Sequence, residues 1–243
     1  MDRLVGQEEA EQSVWKVRYA FYAVAVVFVA PWAVGLAVGL LAGIVNIWVP
    51  LPFPRPSYFI LVICTISTIL SFSAVMFVVK SKYRSTLDSI GIVKDRFAVN
   101  ALIGFAAAFL IMPCSAVLAA ATVKVTGLVA PSNWFVTTAA AVQSNWEAAS
   151  LLVAGCVLVP LTEEVCMRGL LYNALKRRCT APVAAVLTSA VFAALHFNPA
   201  GFLGLFAMSA GFIMLYERTG SLVTPIFAHF AINALILVSS LST

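Results

Sequence analysis

From Tyr19 to Leu241 the chain passes through seven apolar stretches, roughly 19–48, 58–79, 97–123, 148–175, 181–197, 200–216 and 221–241. Crossing the hydrocarbon core of a bilayer as a helix takes about 20 residues, and five of the seven reach that length. A chain of this pattern has too little polar surface to coat a fold in water. Of its 243 residues 62% are hydrophobic and 10% charged, with a mean hydropathy of +1.01. Soluble domains carry roughly 25% charged residues. In lipid, backbone groups find no water and must be bonded within the segment or a closed barrel. The expectation is all-α: a polytopic bundle of about seven transmembrane helices (six to eight) in a single membrane domain. The fifth and sixth stretches fall short of the spanning length and call for tilt, re-entry or shelter by neighbours.

The charges set an orientation. The net charge of +5 does not read as a nucleic-acid footprint, because the basic residues flank the apolar stretches instead of forming one patch. With the N-terminus cytoplasmic and seven alternating spans, the cytoplasmic side holds Arg3, Lys16, Arg18, Lys80, Lys82, Arg84, Lys94, Arg96, Lys176, Arg177, Arg178 and Arg218. The far side holds only Arg55 and Lys124. Such an excess of basic residues marks the cytoplasmic face, and in a prokaryote it fits the plasma (inner) membrane. The apolar run from Tyr19 to Val49 exceeds the core of a cleavable signal and reads as a retained first helix.

Between the spans, residues 50–57 (four prolines) and 124–147 read as loops. In the polar stretch 80–96, Leu87, Ile90 and Ile92 are expected to rest on the membrane surface. Gly35, Gly39 and Gly43, four apart, offer a small-residue face for close helix approach. The five cysteines, at 64, 114, 156, 166 and 179, are odd in number and lack a CxxC, so they read as buried free thiols.

Ionisable residues inside apolar stretches carry the chemistry. Glu163 and Glu164 lie roughly 18 Å of helix rise before Lys176, at a depth where a lone charge costs at least about 2.5–3.5 kcal/mol. Glu164 and Arg168 are four apart and can pair along one face, which leaves Glu163 free to face a different cavity. Both histidines of the chain, His196 and His229, also fall in apolar stretches and are expected within membrane helices. His229 shares a face with Asn233, and Phe192 can pack beside His196. Three chemistries suit this set. A buried carboxylate or imidazole can take a proton from water, with His and Asn donors holding an oxyanion. Glu163, His196 and His229 match a zinc ligand set, although HExxH is absent. Buried Glu and His also form ion relays in transporters. A serine-hydrolase GxSxG is absent, as is a Gly-rich phosphate loop. Cys166 sits about 200° around the helix from Glu164 with no base on its own face.

The three motifs Glu163-Glu164-x-x-x-Arg168, Phe192-x-x-x-His196 and His229-x-x-x-Asn233 resemble the signature of the CPBP (Abi, type II CAAX prenyl endopeptidase-like) intramembrane proteases. The lead-in from Tyr216 to His229 is similar as well, and the resemblance covers roughly 150–238. It implies a core over 148–243, with 1–147 supplying N-terminal helices and loops. It implies that Glu163 and His196 activate water, that His229 and Asn233 hold the oxyanion, and that Arg168 fixes Glu164. It implies no cofactor and no metal. If a divalent metal such as zinc were bound, Glu163, His196 and His229 would be its ligands. The implied partners are the bilayer and a peptide or membrane-protein substrate, prenylated or not. The rival readings are a membrane transporter or relay, and a non-catalytic immunity or scaffold member of the family.

Overall fold

The computed structural model describes residues 17–29, 31, 33–37, 40–41, 44, 56–81, 90–92, 95–129, 131 and 134–241. Among these, all regular structure is helical. We number the helices α1 Val17–Phe28, α2 Pro56–Ser81, α3 Phe97–Thr126, α4 Trp134–Ala140, α5 Asn145–Lys176, α6 Ala181–Leu195, α7 Phe202–Thr219 and α8 Val223–Leu241. All but the short α4 coincide with the seven apolar stretches. Among the described residues, the span Val17–Ala37, α3, α5 and α8 are long and apolar enough to cross a membrane by themselves, and α6 is shorter. The protein is an integral membrane protein.

The axis of the bundle is α5. Every residue of its Val165–Tyr172 segment is buried, enclosed by α1, α6 and the core side chains Phe212, Leu222 and Ile232. Its neighbours bury only one face each. In α1 that face is Ala20, Ala23, Val24 and Val27, the spacing of a helical stripe. In α3 it is Asn100, Gly104 and Ala108, and the other faces expose Leu102, Leu110 and Val117 at 67–73%, an apolar surface suited to lipid. Close approach uses single glycines. A Cβ on Gly104 would collide with the Thr224 carbonyl of α8. One on Gly204 of α7 would meet the Ser115 carbonyl of α3 at 2.6 Å, where Ser115 Oγ also donates to the Gly204 carbonyl. Of the predicted glycine face in the first span, Gly39 and Gly43 lie outside the described residues.

Three expectations need correction. The stretch 124–147 is not all loop: α4 forms within it, and Phe135 lies against Gly155, which has no side chain to exclude the ring. Helix α5 then begins at Asn145 behind a capping box, in which Ser144 Oγ accepts from the Glu147 amide and Glu147 accepts from the Ser144 amide. Ile90 does not rest on the membrane surface. It is fully buried against Gly169 and the core, and the adjacent Gly91 carbonyl accepts from the Leu222 amide at 2.7 Å; Leu87 lies outside the described residues. His196 is not inside a helix. α6 ends at Leu195, His196 is its C-cap, and Phe197 takes a left-handed φ of 49° before Asn198 and Pro199. Proline disfavours helical geometry in the residue before it, so the helix stops short of Asn198-Pro199 and leaves His196 at its end.

The four cysteines whose side chains are described are free, but only Cys156 and Cys166 are buried; Cys179 is half-buried and Cys114, on the outer face of α3, is exposed.

Candidate functional site

Arg168 anchors the polar cluster. It is fully buried, and its Nη1 donates to Glu164 Oε1 at 2.9 Å. Its Nη2 donates to the Ser209 carbonyl at 3.0 Å and to Ser209 Oγ at 2.8 Å, tying α5 to α7. The guanidinium lies between the rings of Phe192 and Phe212, 5.2 Å from each centroid. Arginine suits this position because its planar fork bonds at the edge while its faces stack on aromatics.

Glu164 Oε1 has a second partner, His229 Nδ1 of α8 at 3.0 Å. That contact orients the imidazole, whose ring stacks on Phe212 at 5.2 Å, and leaves Nε2 as its free nitrogen. The predicted Glu164–Arg168 pair therefore forms and extends to a third helix. His196 is held differently. Its Nδ1 lies 2.7 Å from the Phe192 carbonyl. A carbonyl only accepts, so Nδ1 carries the proton and the neutral ring has its lone pair on Nε2. Phe192 flanks His196 with ring centroids 4.5 Å apart, and Phe28 of α1 lies 6.0 Å away.

Glu163 lies next to this frame and outside it. It is partly exposed, and its buried Oε2 has no hydrogen-bond partner. Its carboxylate is within electrostatic reach of both imidazoles. Glu164 Oε2 is likewise buried without a partner, so the two adjacent carboxylates differ in that Glu164 is bonded into the framework through Oε1, whereas Glu163 makes no side-chain hydrogen bond among the described residues.

Asn233 has a partner that its sequence motif does not reveal. Its Nδ2 donates to the Gly155 carbonyl at 2.8 Å. The reason lies in α5, which is π-helical over Leu152–Leu158 and Val165–Tyr172. In the first segment the Val159 amide bonds to Ala154, five residues back. In that register the Gly155 carbonyl would look to residue 160, which is proline and has no N–H. Asn233 satisfies the orphaned carbonyl and keeps a second amide hydrogen. π-segments inside α-helices recur at functional sites, and here two of them bracket the six residues that carry both glutamates.

Phe28, Ser209, Phe212 and Gly155 were not singled out in the sequence. Each is a common residue in an apolar stretch, and only the packing gives it a place beside the cluster. Among the described residues, no three His, Cys, Asp or Glu side chains converge as a metal-holding group.

Residues 145–235 match the family model of the Rce1-like type II CAAX prenyl endopeptidases. The matched segment contains all three motifs and every residue of the cluster except Phe28. Over 91 residues the chain is 28% identical to a curated Bacillus subtilis (strain 168) protein named "Putative membrane peptidase YdiL", and that alignment covers 37% of each chain. No solved structure matches.

Proposed function

We propose that the protein is an intramembrane endopeptidase that hydrolyses a peptide bond of a membrane-associated or prenylated substrate with water activated by Glu163 and His196. The observation that carries this reading is the division of labour between adjacent carboxylates. Glu164 Oε1 is bonded to Arg168 and His229, whereas Glu163 makes no side-chain hydrogen bond among the described residues and lies within electrostatic reach of both imidazoles. The Rce1-like match and the membrane-peptidase name of the relative support the same class.

In the proposed reaction a water bound between Glu163 and His196 Nε2 attacks the scissile carbonyl carbon and gives its proton to Glu163. The tetrahedral oxyanion is held by His229, donating from Nε2 as an imidazolium paired to Glu164 at Nδ1, and by the remaining amide hydrogen of Asn233. Collapse breaks the C–N bond, and Glu163 returns the proton to the leaving amine. Positioned acid–base groups contribute about 10²–10⁴-fold. The test uses purified protein in liposomes with a quenched-fluorescence peptide library that includes farnesylated peptides. Glu163→Gln and His196→Ala should each lower cleavage by at least about 10²-fold. Equal cleavage by wild type and both variants would overturn the assignment.

A further inference from the structure

A second polar site lies away from the glutamates, at the end of the bundle where α3 begins and α7 ends. A cavity of about 390 Å³ opens there between Asp95, Arg96, Asn100, Arg218 and Thr219 on its polar side and Val99 and Ile103 on its apolar side. Its volume is within the range of small-molecule sites. Three features point to a ligand with an anionic head and an apolar tail.

The first is Asn100. It is only 6% exposed, it lines the cavity, and among the described residues its side-chain amide has no hydrogen-bond partner. Buried amides are normally bonded, so an unpartnered one facing a cavity marks a place for a ligand atom. The second is charge. Arg96 and Arg218 converge on the cavity from different helices, and no ion pair ties either of them to Asp95 or to another described acid. Arg96 also stands at the N-cap of α3, where no side chain caps the first-turn amides, and free amides at a helix start favour an anion. The third is shape. Val99 and Ile103 are one turn apart and continue from the polar mouth onto the outer face of α3, where Leu102 and Phe105 are also exposed. A chain leaving the cavity along that face would lie on apolar side chains all the way.

From this geometry we infer that the cavity binds the phosphodiester headgroup of a membrane phospholipid, with one acyl chain laid against Val99 and Ile103. Two arginines and one aspartate give the mouth a net charge of +1. That balance suits a singly charged phosphodiester better than a phosphate dianion, which Asp95 would repel. The arginines supply forked donors for the phosphate oxygens, and Asn100 supplies an amide donor on the cavity wall. The same end of the bundle carries the Lys176–Glu217 ion pair at 2.7 Å, so the site sits among the polar helix ends, at the level of lipid headgroups.

The experiment is native mass spectrometry of the full-length protein released from nanodiscs of phosphatidylglycerol and phosphatidylethanolamine, compared with nanodiscs in which diacylglycerol of the same chains replaces part of the phospholipid. Wild type should retain one phospholipid that survives detergent activation, and no diacylglycerol. Arg96→Gln/Arg218→Gln and, independently, Asn100→Leu should lose at least about ten-fold in retained phospholipid, equivalent to about 1.4 kcal/mol. Arg178→Gln, a basic residue outside the cavity, should retain it as wild type does. Equal retention by wild type and the double variant overturns the proposal, and so does an equal loss in Arg178→Gln, which would mean diffuse attraction. In a parallel arm, inorganic phosphate alone should leave the melting temperature of delipidated protein unchanged while phosphatidylglycerol raises it. Stabilisation by phosphate as large as that by the lipid would assign the site to a free anion and overturn the headgroup.

Discussion

Asn233 Nδ2 donates to the carbonyl of Gly155 at 2.8 Å, a carbonyl orphaned because the residue five positions on is Pro160. One proline thus links the irregular backbone of α5 to the motif residue of α8. Asn233→Ala should leave a buried acceptor unsatisfied, a loss of about 1–3 kcal/mol. Pro160→Ala restores an N–H at position 160 and should make the Asn233 substitution less costly. A double-mutant cycle read by thermal unfolding in detergent checks this. Additivity of the two substitutions would mean that Pro160 does not create the need for Asn233.

Arg168 and Glu164 form a fully buried pair with Ser209, His229 and two aromatic faces around it. Removing one member leaves the other charge without compensation, a penalty of about 3–5 kcal/mol for a buried pair. Arg168→Met should therefore destabilise the protein strongly. Arg168→Lys should also fall well short of wild type, because an ammonium cannot bond Glu164 and Ser209 while stacking between Phe192 and Phe212. Arg168→Met/Glu164→Leu should recover part of the loss, since both charges are gone. Denaturant titration in mild detergent gives the comparison.

How far the sequence reaches is visible in these same residues. Apolar length found the seven helical passages, because in lipid a backbone has few alternatives to helix. Spacing found the Glu164–Arg168 pair, since four residues make one turn. Spacing could not find that Glu164 also holds His229 from 65 residues away, nor that Ser209 and Phe212 close around Arg168, because such contacts depend on how helices pack. The apolar flanks of His196 predict a helix through it, yet the Asn198-Pro199 break overrides them. Ile90 reads as a surface residue for the converse reason: its polar neighbours hide that the chain turns inward at Gly91, where a φ of 92° and the Tyr216 ring leave no room for a Cβ.

The two glutamates should separate in experiment. Glu163 makes no side-chain hydrogen bond among the described residues, so Glu163→Gln should leave the unfolding midpoint close to wild type while lowering turnover by about 10²–10⁴-fold. Glu164→Gln removes the charge that Arg168 and His229 share, so it should lower both stability and turnover. Melting curves and initial rates on the same preparations check the contrast. If Glu164→Gln is as stable as wild type, the assignment of Glu164 to the framework fails.

Gly155 is constrained on two sides, by Asn233 at its carbonyl and by Phe135 at its α-carbon. A methyl group there would overlap the Phe135 ring, and α4 would have to move off α5. Overpacking a filled site costs about 1–3 kcal/mol, so Gly155→Ala should destabilise by that amount. Phe135→Leu opens a cavity by itself and should also destabilise. Together the two changes fill each other's space, so the double variant should be more stable than the sum of the single losses predicts. The contact also carries a functional consequence. Displacing the backbone at Gly155 disturbs the acceptor that fixes Asn233, so Gly155→Ala should lower turnover further than its stability loss explains, and Phe135→Leu should restore the rate along with the fold. Rates measured below the unfolding range of every variant separate the two effects. Stability regained without turnover would break the link between α4 and the Asn233 side of the site.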